Sequence, residues 1–362
     1  MMAADCSNRV EARTGSVTVG VAGAGRLSGE TSMLVQFNPQ RARRSENGAE
    51  WFDAETLFEP DRARGLAPLR ADVYSSSRMI RLLGTIFAGL LGLAFGSFLN
   101  VCLSRWPEGE SVVQPRSHCR HCGHTLAWWE NVPLASWLLL RGRCRSCRAE
   151  IGWRYPLVEL AVGALWAAVA WQSYGTLFPL EFAAGMMIFM WTMVALAALD
   201  AEYFWLPNAI TLPGIALGFL LWLIQSERAR STTHVSSDLF QALTPSGERL
   251  LSIVGAAAVI VLIRWLYWLV RRREGIGLGD AKLMALLAAW LGLPGALLAL
   301  AIGAILGSAA ALVTLALPGL RRGSASWAAT MLPLGTFLCL GGMVSALWGH
   351  AIIEAYLHWA GI

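Results

Sequence analysis

The chain has 362 residues, of which 56% are hydrophobic and only 15% are charged. This composition is too apolar for an ordinary soluble domain and indicates a polytopic membrane protein embedded in the lipid bilayer. The formal net charge of +5 is small, and no segment interleaves basic with aromatic residues, so we expect no nucleic-acid partner.

The first 78 residues differ from the rest of the chain. Residues 1–78 are polar, rich in Arg, Gly, Ser and Glu, and are expected to be disordered or weakly structured. They lack the apolar region of a signal peptide. Because Met79 begins an apolar segment typical of the start of a membrane protein, two interpretations stay open: a real tail, or a wrongly assigned start.

Apolar runs of spanning length follow this extension. They predict an all-α polytopic membrane protein with about eight transmembrane helices, near residues 80–103, 156–173, 182–200, 206–224, 250–270, 277–292, 295–318 and 331–350. Gly292, Pro294 and Gly295 break the sixth helix from the seventh. The sixth is short, so a re-entrant segment is the alternative to a full span.

The distribution of arginine predicts the orientation. The segment 104–155 carries eight arginines and is therefore expected to be cytoplasmic. With eight spans, Arg271 to Arg273 and Arg321 to Arg322 fall on the same side, while the N-terminus is external. An arginine-rich extension would then have to be translocated, which favours the wrongly assigned start. The predicted organisation is a first helix 79–103, a cysteine-rich domain 104–155, a membrane domain 156–350 and a short tail 351–362.

Two C-x-x-C pairs, 21 residues apart, mark the cysteine-rich domain. Two such turns direct four sulfurs at one ion, which predicts a tetrahedral structural zinc site made by Cys119, Cys122, Cys144 and Cys147. A site with four thiolates has no open position for water, so we expect no catalysis by this metal. Disulfides or free thiols are the alternative, although a reducing cytoplasm disfavours disulfides. Three nearby histidines are alternative metal ligands: His118, His121 and His124. We expect them to be polar residues of the loop instead.

Two aspartates are expected at one membrane face. Asp200 ends the third predicted helix and Asp280 begins the sixth, so the topology gives both the same depth on the cytoplasmic side. Two carboxylates held close share a proton, and such a pair can act as general base and general acid in peptide hydrolysis. Two structural alternatives remain open: Asp280 as a helix cap, and Asp200 paired with an arginine of 271–273.

The residues around Asp280 form a G-x-G-D-x-K motif. Gly277 and Gly279 permit an unusual turn and close approach by an extended peptide. Lys282 has two interpretations, an anchor for the loop or for lipid headgroups, and a surface lysine that snorkels to water.

Together these motifs resemble the type IV prepilin peptidase family, also called leader peptidase/N-methyltransferase. The resemblance runs from Leu82 to Leu347 and includes "GSFLNVCLSRW", both C-x-x-C pairs, "ENVPLASWLLLRGRC", "LDAEYFWLPNAITLPG" and the G-x-G-D-x-K motif. It implies an aspartic endopeptidase of the bacterial cytoplasmic (inner) membrane that removes the leader of prepilins and pseudopilins of type IV pili or type II secretion.

The resemblance also assigns candidate residues and cofactors. It implies that Asp200 and Asp280 are catalytic, and that S-adenosyl-L-methionine is the methyl donor of a second, N-methyltransferase activity. Glu159, in "RYPLVEL", matches an acidic position of the family whose role is open. Two alternatives are a peptidase without methyl transfer and a non-catalytic scaffold or transporter with a zinc knuckle. A transporter is disfavoured because the acids lie at the membrane edge and the chain shows no internal repeat.

Overall fold

The computed structural model describes residues 60–174, 180–233, 239–273, 277–316 and 333–361. Side chains are described for these ranges except in 60–77, 229–233 and 239–245. The chain divides into two units, Met1–Gly65 and Leu66–Ile362, and both candidate sites described below belong to the second.

The architecture is all-α, as predicted. Eight α-helices occur in the described ranges: α1 Pro60–Arg105, α2 Ala135–Leu139, α3 Arg154–Ser173, α4 Leu180–Tyr203, α5 Asn208–Thr233, α6 Leu239–Arg271, α7 Leu278–Ala316 and α8 Leu334–Ala360. Two short 3₁₀ helices, Trp106–Glu108 and Trp128–Asn131, lie between α1 and α2. Extended pairing in the described chain is limited to two isolated bridges within the cysteine-rich segment.

Six helices of the described chain are long and apolar enough to cross a membrane. They are α1, α4, α5, α6, α7 and α8. The exact count of eight spans is therefore not confirmed. The predicted helix 156–173 forms α3 but is not among the six, and the predicted sixth and seventh helices are the two parts of α7.

Two domain boundaries predicted from the sequence can be compared with the described residues. Helix α1 begins at Pro60, inside the predicted polar extension, and residues 1–59 of that extension lie outside the described residues. Helix α8 continues to Ala360, through most of the segment expected to be a tail. The basic pair Arg321 and Arg322 also lies outside the described residues.

The break in α7 is present at Gly292, which adopts a non-helical φ of 75°. A break leaves carbonyl groups of the preceding turn without their helical donors. Arg249 of α6 supplies one replacement, because its Nη1 donates to the carbonyl oxygen of Ala288 at 3.2 Å. The part of α7 before the break is thereby tied to a neighbouring helix, and its freed carbonyl oxygen has a donor, as broken helices in membranes require.

Close backbone approach joins α1 to α3. A Cβ added at Gly96 would lie 2.7 Å from the Cα of Glu159, and one added at Gly92 would lie 2.9 Å from the Cα of Gly163. The G-x-x-x-G spacing therefore lets the two helices touch along one face, as small residues do in membrane helix pairs. The segment 106–153 connects the end of α1 to the start of α3 in this pair.

The buried core lies among α4, α7 and α8. Helix α7 packs against α5, α6 and α8, and α4 packs against α3 and α8. Fully buried apolar side chains fill this region, among them Phe189, Met193, Leu196, Leu283, Leu286 and Leu338. Many large apolar side chains of α1 and α6 are exposed instead, which fits helices that face lipid.

Candidate active site and metal centre

Asp200 and Asp280 are brought together from two helices. Asp200 lies near the end of α4 with 6% of its surface exposed, and Asp280 is the third residue of α7 with 9% exposed. Their carboxylates are close enough to interact electrostatically, and both also interact with the buried Cys339 of α8. Two buried acids within range of one another are rare in a membrane bundle and mark a candidate functional site.

Helix α8 holds Asp200 in place. The backbone N–H of Thr336 donates to Asp200 Oδ2 at 2.6 Å. The Thr336 hydroxyl lies 3.1 Å from both Asp200 Oδ2 and the carbonyl oxygen of Ala197, so it donates to one of them at a time. Because Thr336 is in the first turn of α8, its N–H has no helical partner and is available to an anion.

Gly335 allows this contact, and sequence reasoning missed both residues. A Cβ added at Gly335 would lie 2.9 Å from the Asp200 carboxyl carbon. The segment "PLGTF" offered one signal, since a small residue and a hydroxyl at the start of an apolar helix are typical of an anion-binding turn. Nothing local in the sequence indicates which anion would occupy it.

Asp280 is held by its own turn. The backbone N–H of Gly277 donates to the Asp280 carboxylate, which is the contact that the third residue of a helix makes in a capping box. Gly279 lies against Leu206, whose Cδ1 would be 3.2 Å from a Cβ added there. The structural alternative of a capping role is therefore compatible with the contacts of Asp280. The alternative for Asp200 is not, because no arginine forms a salt bridge with it within the described ranges.

Lys282 and Glu159 bind other parts of the molecule. Lys282 Nζ donates to Asn208 Oδ1 at 2.7 Å, which anchors the start of α7 to the start of α5. Glu159 is 8% exposed, and its carboxylate accepts hydrogen bonds from the Leu134 backbone N–H, at 2.8 Å, and from the Ser97 side chain. Glu159 therefore joins α3 to α1 and to the cysteine-rich segment.

The four predicted cysteines form one cluster. Their Sγ atoms all lie within 4.8 Å of one another, with Cys119 and Cys147 at 3.8 Å and Cys122 and Cys144 at 4.0 Å. A disulfide needs about 2.0 Å between sulfurs, whereas four ligands at about 2.3 Å from one zinc ion lie roughly 3.8 Å apart. The donor set and its spacing fit a tetrahedral metal ion.

Two turns of the same geometry build this cluster. In the first, the N–H of Gly123 donates to the Cys119 carbonyl, and in the second, the N–H of Arg148 donates to the Cys144 carbonyl. The residue after each second cysteine is left-handed, with φ of 69° at Gly123 and 61° at Arg148. The C-x-x-C repeat of the sequence is therefore a structural repeat as well.

The three histidines stay outside the cysteine cluster. His124 lies 3.2 Å from the carboxylate of Glu130, which also accepts from the Ala127 N–H at 2.7 Å. The Ala127 N–H and, to a smaller extent, His124 hold the pKa of Glu130 below its ordinary value, although burial opposes this. This pair of a half-buried histidine and a buried glutamate orders the segment after the first C-x-x-C turn.

The comparisons with known proteins identify the family of the chain. Residues 90–173 match the bacterial peptidase A24 N-terminal domain, and residues 187–312 match the type IV leader peptidase family. The chain is 34% identical over 296 residues to the prepilin leader peptidase/N-methyltransferase of Pseudomonas aeruginosa, covering 75% of this chain and 93% of that protein. The chain belongs to the type IV leader peptidase family. It is therefore a protease by family.

Other relatives carry the same name. The prepilin leader peptidase/N-methyltransferase of Stutzerimonas stutzeri is 33% identical over 75% of this chain and 93% of its own length. That of Dichelobacter nodosus is 35% identical over 76% of this chain and 95% of its own length. No solved structure gives a significant match. The two family regions divide the chain as the sites do: the first contains all four cysteines, and the second contains both aspartates.

Proposed function

We propose that this leader peptidase is an aspartic endopeptidase that cleaves type IV prepilins or pseudopilins with Asp200 and Asp280. The observation that carries the proposal is the pair of buried carboxylates from α4 and α7, within electrostatic range of one another. Its relatives are named prepilin leader peptidases. Neither a nucleophilic serine nor a cysteine is needed for this chemistry.

The pair supplies both proton-transfer functions of peptide hydrolysis. Two adjacent carboxyl groups share one proton because both cannot ionise freely. The ionised group takes a proton from water as the water oxygen attacks the scissile carbonyl carbon, and the protonated group donates to the carbonyl oxygen. When the tetrahedral intermediate collapses, the C–N bond breaks, the leaving amine takes the proton that the base removed from water, and the hydroxyl on the former carbonyl carbon returns its proton to the other aspartate. The donors on Asp200 and Asp280 keep both carboxylates oriented.

The site is suited to a substrate that is half in the membrane. A prepilin has a basic leader followed by an apolar helix, and acids at the membrane edge reach the junction between them without unfolding a span. Arginine placement supports a cytoplasmic location for this edge and for the cysteine-rich segment, in a multi-pass protein of the bacterial inner membrane.

The cysteine cluster is proposed to bind structural zinc. Cys119, Cys122, Cys144 and Cys147 would occupy all four positions of a tetrahedral ion, which would stabilise the fold of segment 104–155 without activating water. The names of the relatives also support a second activity, transfer of a methyl group from S-adenosyl-L-methionine to the new N-terminus. The alternatives, a peptidase without methyl transfer and a non-catalytic scaffold, remain outcomes of the test.

The test is cleavage of a prepilin substrate by the purified full chain, with mass spectrometry of the mature N-terminus. Asp200→Asn and Asp280→Asn are each expected to lower the rate at least about 100-fold, because general acid–base catalysis contributes that much. Glu202→Gln is the matched control, an acid at the same end of α4 that pairs with Arg154. If either aspartate variant cuts as fast as the control, the proposed mechanism is wrong. If wild type cuts no pilin substrate, the scaffold alternative replaces it.

A further inference from the structure

A cavity lies between α1 and the cysteine-rich segment, outside the aspartate pair and the cysteine cluster. Its volume is about 410 Å³, within the range of sites for small molecules. The wall on α1 includes Ser97, Phe98 and Arg105, and the opposite wall includes Arg116 and Trp128. Among the residues that the structure describes, the lining contains two arginines and no acidic side chain. The cavity therefore favours a negatively charged ligand.

Arg105 is the unusual member of this lining. It is only 6% exposed, and its guanidinium donates to two neutral acceptors, the carbonyl oxygens of Ser111 at 2.8 Å and Pro115 at 2.6 Å. Within the described ranges, no carboxylate forms a salt bridge with Arg105 or with Arg116. A guanidinium has five N–H groups, so donors remain for another acceptor. Because a buried charge without a counter-ion is costly, Arg105 favours an anion in the cavity.

The cavity lies at the end of a membrane-spanning helix, where lipid headgroups are expected. Arg105 is the last residue of α1, and the apolar span Arg78–Glu108 ends three residues after it. Basic side chains at such an end are attracted to the phosphates of anionic lipids. Trp128, on the opposite wall, is 79% exposed, and tryptophan is enriched at the interface between membrane and water. The phosphate group of a phospholipid is therefore the anion that this position favours.

An exposed apolar stripe on α1 leads away from the cavity along the span. Its members recur every three or four residues and therefore lie on one face of the helix. All four are exposed: Phe87, Leu91, Ala94 and Phe98. The last two also line the cavity, so the stripe and the cavity are continuous. An acyl chain can follow this stripe while its phosphate stays beside the arginines, whereas a free phosphate ion would use only the polar end.

We propose that this cavity binds the phosphodiester group of an anionic glycerophospholipid, with Arg105 and Arg116 beside the phosphate and an acyl chain along the stripe on α1. A zwitterionic headgroup fits less well, because the described lining offers its cationic amine no carboxylate. The bound lipid would link the end of α1 to the cysteine-rich segment, next to the contacts of Arg105 with Ser111 and Pro115. The site goes beyond the proposed peptidase and metal-binding functions and depends on neither.

The test is native mass spectrometry of the purified full chain in detergent, titrated with long-chain phosphatidylglycerol. Saturable binding is expected, and phosphatidylcholine with the same acyl chains should bind at least about fivefold more weakly. Arg116→Gln is expected to raise the Kd for phosphatidylglycerol about fivefold, because it removes one positive charge beside the phosphate. Arg116 is exposed, so this substitution removes no core packing. Arg116→Lys keeps the charge and should bind nearly as well as wild type. Arg143→Gln is the matched control, an exposed arginine of the same segment outside the lining.

The outcomes separate the lipid from other anions. Weaker binding of phosphatidylglycerol in Arg116→Gln, with near wild-type binding in Arg116→Lys and Arg143→Gln, supports the inference. If Arg116→Gln binds phosphatidylglycerol as tightly as wild type, the lipid lies elsewhere and the inference is wrong. Equal binding of the two lipids by wild type overturns it as well, since the arginines then select no charge. Inorganic phosphate is the competing probe: if it displaces phosphatidylglycerol at an equal concentration, the cavity is a site for free anions and the lipid assignment is overturned.

Discussion

The cysteine cluster and the aspartate pair are built in opposite ways. All four cysteines belong to one segment between α1 and α3, and each pair is shaped by a turn of a few residues. Asp200, Asp280 and Thr336 come from three helices, α4, α7 and α8. The first site depends on local spacing and a bound ion, whereas the second depends on the packing of distant helices. Each site should therefore fail through a different kind of substitution.

The cysteine cluster should lose its metal completely when one ligand is removed. Cys144→Ser is expected to lower the metal content from about one ion per chain to near zero, because a structural site needs all four ligands. Metal analysis of the purified protein measures this. Cys102→Ala is the matched control, since Cys102 is buried in α1 and lies outside the cluster. Equal metal content in Cys144→Ser and wild type would remove the proposed metal centre.

The activity of the aspartate pair should be lost when a residue far away in the sequence is substituted. Gly335→Ala places a methyl group about 3 Å from the Asp200 carboxylate and would push it off the Thr336 N–H. Misplacing a catalytic group by about 1 Å can cost roughly 100-fold in rate, so we expect a loss of about that size in prepilin cleavage. Gly255→Ala, in α6, meets no neighbour within 4 Å and should leave the rate unchanged. Full activity in Gly335→Ala would mean that the orientation of Asp200 is unimportant.

This contrast explains how far the sequence could predict the molecule. The helix positions followed from apolar runs, and the cysteine cluster from C-x-x-C spacing, because both signals are local. The expectation that Asp200 and Asp280 share one face came from counting eight helices, a count that the described chain does not confirm. The contact with Thr336 did not follow, because the start of α8 is 136 residues away from Asp200 and carries no complementary charge.

The role of Glu159 was unpredictable for the same reason. The sequence shows only an acid near a membrane edge, and its two donors come from α1 and from the residue before α2. Hydropathy alone also could not predict the number of transmembrane spans. Helix α3 has the length of a span but also carries buried Glu159 and a salt-bridged Arg154. The length of such a helix favours a transmembrane span, whereas its charged side chains do not. Its packing against other helices decides whether it spans the membrane.

Removing one donor from Asp200 should have a smaller effect than Gly335→Ala. Thr336→Val keeps the backbone N–H at 2.6 Å and removes only the hydroxyl. A hydrogen bond to a charged group is worth about 1.5 kcal/mol, so we expect roughly a tenfold loss in the cleavage rate. Thr336→Ser keeps the hydroxyl and is the control. If Thr336→Val cleaves at the wild-type rate, the hydroxyl donates to the Ala197 carbonyl and not to Asp200.

The smallest expected effect compares the two cysteine turns with each other. Gly123 and Arg148 occupy the same left-handed position, but only Gly123 adopts it without steric cost. Gly123→Ala meets no atom within 4 Å, so its cost is the left-handed backbone alone, about 1 kcal/mol. Metal binding is coupled to folding, so the metal affinity measured by competition with a chelator should fall about fivefold.

Arg148→Gly should behave differently at the equivalent position. It relieves the left-handed strain but gives the unfolded chain more freedom, and the two effects are similar in size. We therefore expect less than about a twofold change in metal affinity. A loss as large as that of Gly123→Ala would show that the Arg148 side chain stabilises its turn by contacts, and that the two turns are equivalent in backbone only. Equal, small effects in both variants would mean that the bound ion, rather than the turn geometry, holds the cluster together.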